Sequence, residues 1–235
     1  MTVEIRIQSH EVELRDEAKI FGRAAVYYDG TPDTQFHTPW VHEGRKVVER
    51  IMPTFFDSVM DQDVRALFNH NPDNVLGRTT AGTLKLTNTP TGLDYEIDPP
   101  DTELGKSLRV ALKRKDVTGS SFQFSVKENL FYESSDEKGD ILVRELHAAD
   151  SLLDVGPVTY PAYPATSSEA RYDHPGGTYN EACFKEFQEL LLQHEAEEAE
   201  ARIALMQQQL SCELATAERM VRFKHLTLLP NPEYH

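Results

Sequence analysis

A serine and a histidine far apart in the chain are the two side chains best suited to nucleophilic chemistry. Ser121 lies in "DVTGSSFQFSV", where polar and apolar residues alternate after Gly119. His70 lies in "RALFNHNPDNVLG", between an apolar run and an Asn-Pro turn signal, so we expect it at an exposed strand end. A serine hydroxyl becomes a good nucleophile when a base takes its proton, and histidine is the usual base near neutral pH. The pair indicates a Ser-His hydrolase.

Such a pair needs a third group that orients the imidazole and stabilises its charged form. Glu96 in "GLDYEID" is one candidate, and Asp154 or His147 in a later strand region are the others. Spacing alone does not choose among them. Ser120 is an alternative nucleophile, but alternation along a strand would point it to the opposite face from Ser121. The same residues also fit a β-rich binding domain in which they are ordinary surface groups.

The elements around these residues are predicted to be mostly strands. Apolar and polar residues alternate in "VEIRIQ", and "TLKLTNTPTGLDYEID" has the pattern of two strands joined by a turn. Two more strand regions flank the acidic stretch "ESSDEKGD", which is typical of a loop. Helices are predicted for "PTFFDSVM", which begins with Pro53, and for "DTELGKSLRVALKRKD", where leucines recur every four residues.

Residues 28–48 contain two prolines and two glycines and show no clear period, so they are predicted to be a surface loop. His37 and His42 in this segment lack a third clustered ligand, and we interpret them as loop histidines. Cys183 and Cys212 are interpreted as incidental thiols of a helical segment. No metal and no cofactor is predicted.

The composition changes near residue 165. We expect a folded domain over residues 1–165, a Pro/Gly-rich linker over 166–180 and a helical tail over 181–235. In the tail, apolar residues recur at spacings of three and four, which predicts a long amphipathic helix. These residues are Ile203, Met206, Leu210, Leu214, Ala217 and Val221. Such a stripe either folds back on the domain or pairs with another chain, and we favour a partner chain, which makes a homo-oligomer a possibility.

The overall charge and hydropathy limit the classes of partner. The formal net charge of −15 argues against nonspecific nucleic-acid binding, which needs Lys and Arg. No apolar run reaches the roughly 18 residues of a membrane helix, and the N-terminus lacks the layout of a signal peptide. We therefore expect a cytosolic protein that binds neither nucleic acid nor membrane.

Four stretches, in order, resemble motifs of the tailed-phage prohead maturation proteases. "ALFNHNPDNVLGRT" is similar to that family's histidine motif, and "TGLDYEID" to its Gly-Leu-x-x-Glu strand. "DVTGSSFQF" resembles its serine motif, and "LLDVGPVTYPAYPATSSEAR" its C-terminal signature. Together the motifs span roughly residues 15–171. Gln123 departs from the family pattern, which usually has Gly there, and Gly156 replaces a common Ser.

The resemblance implies an α+β, mainly β fold like that of the herpesvirus assembly protease, with a closed barrel-like core flanked by helices. It implies a serine endopeptidase of phage capsid maturation with Ser121 as nucleophile and His70 as general base. Glu96 is the first choice for the orienting acid, and Asp154 is the second. Backbone amides near Ser121, or a guanidinium such as Arg144 or Arg78, are candidates for binding the oxyanion.

The implied substrate is scaffold protein, or the scaffolding segment of the major capsid protein, together with the protease itself. The implied location is the host cytoplasm inside the procapsid, or the bacterial cytoplasm for a prophage-encoded protein. The tail lies outside the resemblance, and binding to scaffold would explain how the enzyme is packaged. A catalytically idle assembly or scaffolding protein on the same fold is the alternative function.

Overall fold

Eleven strands and two α-helices are found in the described part of the chain, which comprises residues 3–8, 12–16, 18–160 and 181–227 of a computed structural model. The strands are β1 (Glu4–Gln8), β2 (Glu13–Arg15), β3 (Lys19–Val26), β4 (Phe36–His42), β5 (Arg45–Ile51), β6 (Arg65–Leu67), β7 (Val75–Arg78), β8 (Leu84–Thr89), β9 (Gly92–Ile97), β10 (Gly119–Asp136) and β11 (Gly139–Val158). The helices are α1 (Glu103–Arg114) and α2 (Glu181–Thr227). The chain divides into two compact units, Met1–Glu186 and Phe187–His235.

The strands form two sheets. The larger has the order β1-β10-β11-β5-β4, and β6 and β7 extend it from the far end of β11. The smaller has the order β2-β3-β9-β8. Neither order returns to its first strand, so the closed barrel is not found among the described strands. The mainly β, α+β class is confirmed, and the barrel is replaced by two open sheets.

The long hairpin of β10 and β11 is the centre of the larger sheet. The two strands are antiparallel along nearly their whole length, with irregular pairing between Gln123 and Asn129. β11 also pairs in parallel with β5 near its start and with β6 near its end. The end of β11 therefore lies between the serine-bearing strand and β6, the strand that precedes the His70 turn.

A shared hydrophobic core joins both sheets. Phe122 and Phe124 of β10 point into it and contact Phe55 and Phe56 edge to face, with ring centroids 5.4 Å apart in both pairs. Tyr95 and other residues of the smaller sheet belong to the same core. Burying each large aromatic side chain contributes roughly 1.5–3 kcal/mol, so this core holds β10 firmly in place.

Four buried charged residues brace the hairpin against β1 and β5. Arg6 bonds to Glu49 and to Glu4, with nitrogen–oxygen distances of 2.5 Å. Arg144 bonds to Glu4 at 2.8 Å and to Glu49 at 3.0 Å. Burial by itself would raise the pKa of Glu4, but attraction to Arg144 and Arg6 outweighs it and lowers the pKa to about 2. Two positive and two negative groups leave the cluster neutral, as burial of charge requires.

Several predicted elements are confirmed. Residues 84–97 form the β8–β9 hairpin, and residues 103–114 form α1 with Leu108 and Leu112 buried. The Thr102 hydroxyl caps α1 by accepting the amide of Gly105, and Lys115 ends the helix with a left-handed φ of 66°.

Two local predictions are wrong. The segment that begins with Pro53 is a turn followed by a short 3₁₀ helix (Asp57–Val59) rather than an α-helix. Residues 28–48, predicted as a loop, contain β4 and the start of β5. The pairing of these strands is irregular between His37 and Val41, the stretch that holds Pro39 and disturbs the alternation.

Helix α2 is confirmed as a long helix. Of the predicted stripe, Ile203, Met206 and Leu210 are exposed on one side. Leu205 is also exposed, and at 100° per residue it lies nearly opposite Ile203, so the apolar residues are not confined to one stripe. The predicted linker, 166–180, lies outside the described residues, as do the side chains of Cys183 and Cys212.

Candidate active site

Ser121 lies near the start of β10, in the middle of the larger sheet. It is opposite Ile7 of β1 and opposite Gly156 of β11. Since Phe122 and Phe124 point into the core, Ser121 points to the other face of the sheet. The residue is completely buried. The neighbouring strands and the packed phenylalanines therefore fix the position of its hydroxyl.

His70 lies in the turn between β6 and β7. The turn is closed by hydrogen bonds from the amide of Asn71 to the carbonyl of Phe68 and from the amide of Asn74 to the carbonyl of Asn71. Asn69 and His70 both adopt the left-handed conformation, with φ of 57° and 54°. The predicted position at a strand end is confirmed, but the predicted exposure is wrong: the side chain is only 9% exposed. The left-handed turn folds the imidazole back over the sheet.

The imidazole of His70 bridges two side chains. Its Nε2 lies 2.6 Å from Oγ of Ser121, and its Nδ1 lies 2.6 Å from Oδ1 of Asp154. Asp154 is opposite Gln123, two residues along from the Ser121–Gly156 pair. The side chains of Ser121 and Asp154 therefore share one face of the sheet. The Asp154 side chain is 2% exposed. The three groups form the arrangement of a nucleophile, a base and an orienting carboxylate.

Glu96, the first choice for the orienting acid, is not the carboxylate bonded to His70. It lies on β9 of the smaller sheet, where its carboxylate accepts a hydrogen bond from Nζ of Lys19 at 2.6 Å. That bond lowers the pKa of Glu96. Both ring nitrogens of His70 are taken by Ser121 and Asp154, so Asp154, the second choice, is the carboxylate that contacts His70.

His147, the remaining candidate for that position, lies farther back on β11. Its side chain is 38% exposed, and its Nε2 lies 3.2 Å from Oε2 of Glu145. The structure therefore joins His147 to an acidic neighbour on its own strand.

Ser120 points to the opposite face, as its place in the alternation predicts. Its hydroxyl is buried in the core and donates a hydrogen bond to the hydroxyl of Tyr95 at 3.1 Å. The geometry therefore brings Ser121, and not Ser120, to His70.

The hydroxyl of Ser121 has a second acceptor besides His70. Its Oγ lies 2.8 Å from the backbone carbonyl oxygen of Arg6 on β1. A hydroxyl has a single proton, so it donates either to Arg6 or to Nε2 of His70. Transfer of the proton to His70 requires the hydroxyl to turn away from Arg6.

The two guanidinium groups considered for oxyanion binding are both engaged by carboxylates. Arg144 is buried between Glu4 and Glu49. Arg78 forms two hydrogen bonds to Asp63, at 2.8 and 2.6 Å. Neither guanidinium can therefore bind an oxyanion without losing its bonds to carboxylates.

The described ranges contain no group of three or more His, Cys, Asp or Glu residues arranged to hold a metal ion. Likewise, no helix within them is both long and apolar enough to cross a membrane. His37 and His42 lie on strand β4 instead of in a loop.

Residues 7–175 match the sequence model of the caudovirus prohead serine protease family. The chain belongs to this family. The matched range contains Ser121, His70 and Asp154, and it ends before α2 begins. The caudovirus prohead proteases are serine proteases of phage capsid maturation, which implies a capsid or scaffold protein as substrate and a location inside the procapsid. Searches of curated proteins and of solved structures return no match.

Proposed function

We propose that this prohead protease is an active serine endopeptidase with Ser121 as nucleophile, His70 as general base and Asp154 as orienting acid. The observation that supports the proposal most strongly is the imidazole of His70, whose nitrogens lie 2.6 Å from Ser121 Oγ and 2.6 Å from Asp154 Oδ1. The alternating face of β10, the left-handed turn and the register of β11 converge on this contact. Three separate structural features would not be expected to bring unrelated surface residues into contact.

The geometry suits acyl transfer to a serine. Neutral His70 donates a hydrogen bond from Nδ1–H to Asp154 and accepts the Ser121 proton at Nε2 while Oγ attacks the carbonyl carbon of the scissile peptide bond. The resulting imidazolium is stabilised by the buried Asp154 carboxylate. His70 then gives the proton to the departing amine nitrogen as the C–N bond breaks, which leaves an ester on Ser121. Water, deprotonated by His70, then attacks the ester carbonyl. The bond from that carbon to Ser121 Oγ breaks, and His70 returns the proton to Oγ.

The proposed substrate is scaffold protein or the scaffolding segment of the major capsid protein, with cleavage of the protease itself inside the procapsid. Membership of the prohead protease family supports this choice. The tail has a supporting feature of its own: Ile203, Met206 and Leu210 are exposed on α2, outside the range that matches the family. We propose that they contact scaffold or a second copy of the chain, so that the enzyme is enclosed as the shell assembles.

Intact mass spectrometry tests this function. Wild type, Ser121→Ala and His70→Ala are each produced alone and together with the capsid and scaffold proteins. Shortened products of any of these chains that form with wild type but with neither variant would support the protease. Three identical full-length patterns in the presence of capsid and scaffold would contradict it and favour the idle assembly protein.

A further inference from the structure

The residue that precedes the histidine is clamped to the strand that carries Asp154. The Asn69 side chain accepts the amide of Thr159 at 2.8 Å and donates to the hydroxyl of Thr159 at 3.0 Å. The amide of Asn69 donates to the carbonyl of Pro157 at 3.1 Å. These three hydrogen bonds connect the β6–β7 turn to the end of β11, just beyond Asp154.

We propose that Asn69 is a positioning residue that holds the His70 imidazole on Ser121 and Asp154 by clamping its turn to Pro157 and Thr159. The proposal rests on the proposed function, because positioning has a catalytic meaning only if His70 is the base. Asn69 itself touches none of the reacting atoms.

The backbone of this turn needs such a clamp. Asn69 and His70 are consecutive non-glycine residues in the left-handed region, a conformation that is unfavourable for L-amino acids. Asparagine is among the side chains that tolerate it best. The three hydrogen bonds to Pro157 and Thr159 offset that cost. His70 keeps its unfavourable left-handed φ whatever residue precedes it, so loss of the two side-chain bonds to Thr159 lets the turn relax and His70 move.

Gly156 lets the β6–β7 turn pack closely against β11. A Cβ atom at this position would overlap the carbonyl oxygen of Leu67, the last residue of β6 before the turn. Since Gly156 is also opposite Ser121, the missing side chain lets the His70 turn approach the serine. A residue with a side chain at position 156 would therefore have to displace the backbone at Leu67.

A small shift of the imidazole is enough to affect the rate. A misplacement of about 1 Å in a catalytic constellation costs roughly 10²-fold in rate. The clamp acts on the geometry of proton transfer and not on the substrate. We therefore expect its loss to lower kcat and to leave KM nearly unchanged.

The test compares Asn69→Ala and Asn69→Gly with a matched control. Asn69→Gly keeps the freedom to adopt a left-handed φ but removes both side-chain hydrogen bonds. The control is Asn88→Ala, which also removes an asparagine with two side-chain hydrogen bonds, to Tyr27 and Asp57, on β8 of the smaller sheet. Each full-length variant is assayed on a peptide that contains the cleavage site identified with wild type. The His70 ring protons of each variant are recorded by NMR.

The expected result is a loss of roughly 10- to 100-fold in kcat for both Asn69 variants, with little change in KM. The His70 Nδ1–H signal should move or broaden in them and stay in place in Asn88→Ala, which keeps the wild-type kcat. A kcat within about twofold of wild type, or an unmoved His70 signal in folded Asn69→Gly, would overturn the proposal. Absence of Ser121-dependent cleavage by wild type would refute the proposed function instead, and the NMR comparison would still decide whether Asn69 positions His70.

Discussion

Gly156 lies directly opposite Ser121 across β10 and β11, and this pairing decides which acid reaches the histidine. Asp154, two residues before Gly156, shares the face of Ser121 and bonds to His70. Gly156 itself makes room for the Leu67 carbonyl at the entry to the histidine turn. One strand thus supplies both the carboxylate that contacts His70 and the space that the His70 turn occupies.

The two candidate acids predict opposite mutant phenotypes. Asp154→Asn should lower kcat by roughly 10³- to 10⁴-fold, because an amide opposite Nδ1 favours the wrong imidazole tautomer. Glu96→Gln should leave kcat at the wild-type value, since its carboxylate is bonded to Lys19. Steady-state cleavage of one peptide by both variants checks this. Strong loss in Glu96→Gln together with full activity in Asp154→Asn would refute the assignment.

The buried charge cluster predicts how stability depends on pH. The pKa of Glu4 is about 2 in the folded chain against 4.5 for the ordinary side chain, so its contribution is fully present above about pH 4.5 and is lost as the pH falls towards 2. A difference of this size corresponds to about 3 kcal/mol at neutral pH. Denaturant unfolding at a series of pH values should show wild type losing that amount over this range.

Glu4→Gln is the companion variant for the same measurement. It leaves Arg6 and Arg144 with one carboxylate fewer, so the free energy of unfolding at pH 7 should fall by roughly 3–5 kcal/mol. The part of the acid dependence that belongs to Glu4 should disappear. If wild type and Glu4→Gln lost stability in parallel from pH 5 to 2, the role of the cluster would be refuted.

The tail is predicted to serve packaging and not chemistry. Replacing Ile203, Met206 and Leu210 together by serine in the full chain should leave peptide cleavage at the wild-type rate, because these exposed residues lie outside the family match. Incorporation into procapsids, measured by sedimentation and immunoblotting, should fall. Deletion of 176–235 should have the same effect. Normal packaging of both variants would rule out this role.

Local sequence patterns predicted the parts of the site that depend on neighbouring residues. Alternation around Ser121 separated it from Ser120, and the Asn-Pro signal placed His70 in a turn after a strand. The choice between Glu96 and Asp154 depends on the register of β10 and β11. That register is a property of strands distant in sequence, so no local pattern contains it.

The buried charges illustrate the same limit in the fold. Alternation in β1 would ordinarily place Ile5 and Ile7 inward, yet Glu4 and Arg6 are the buried residues. Their burial is favourable only because Glu49 and Arg144, from β5 and β11, complete a neutral cluster. Similarly, the sequence of β4 shows no clear alternation, since its pairing with β5 is irregular around Pro39.

The pair of neighbouring serines gives the most direct test of the central claim, that Ser121 is the nucleophile activated by His70. Ser121→Ala and Ser120→Ala are purified and assayed for cleavage of the same capsid or scaffold substrate by mass spectrometry, with circular dichroism as the check on folding. Ser121→Ala should lose cleavage completely while folded, and Ser120→Ala, which loses only the bond to Tyr95, should retain it. Cleavage by Ser121→Ala at the wild-type rate would contradict the assignment.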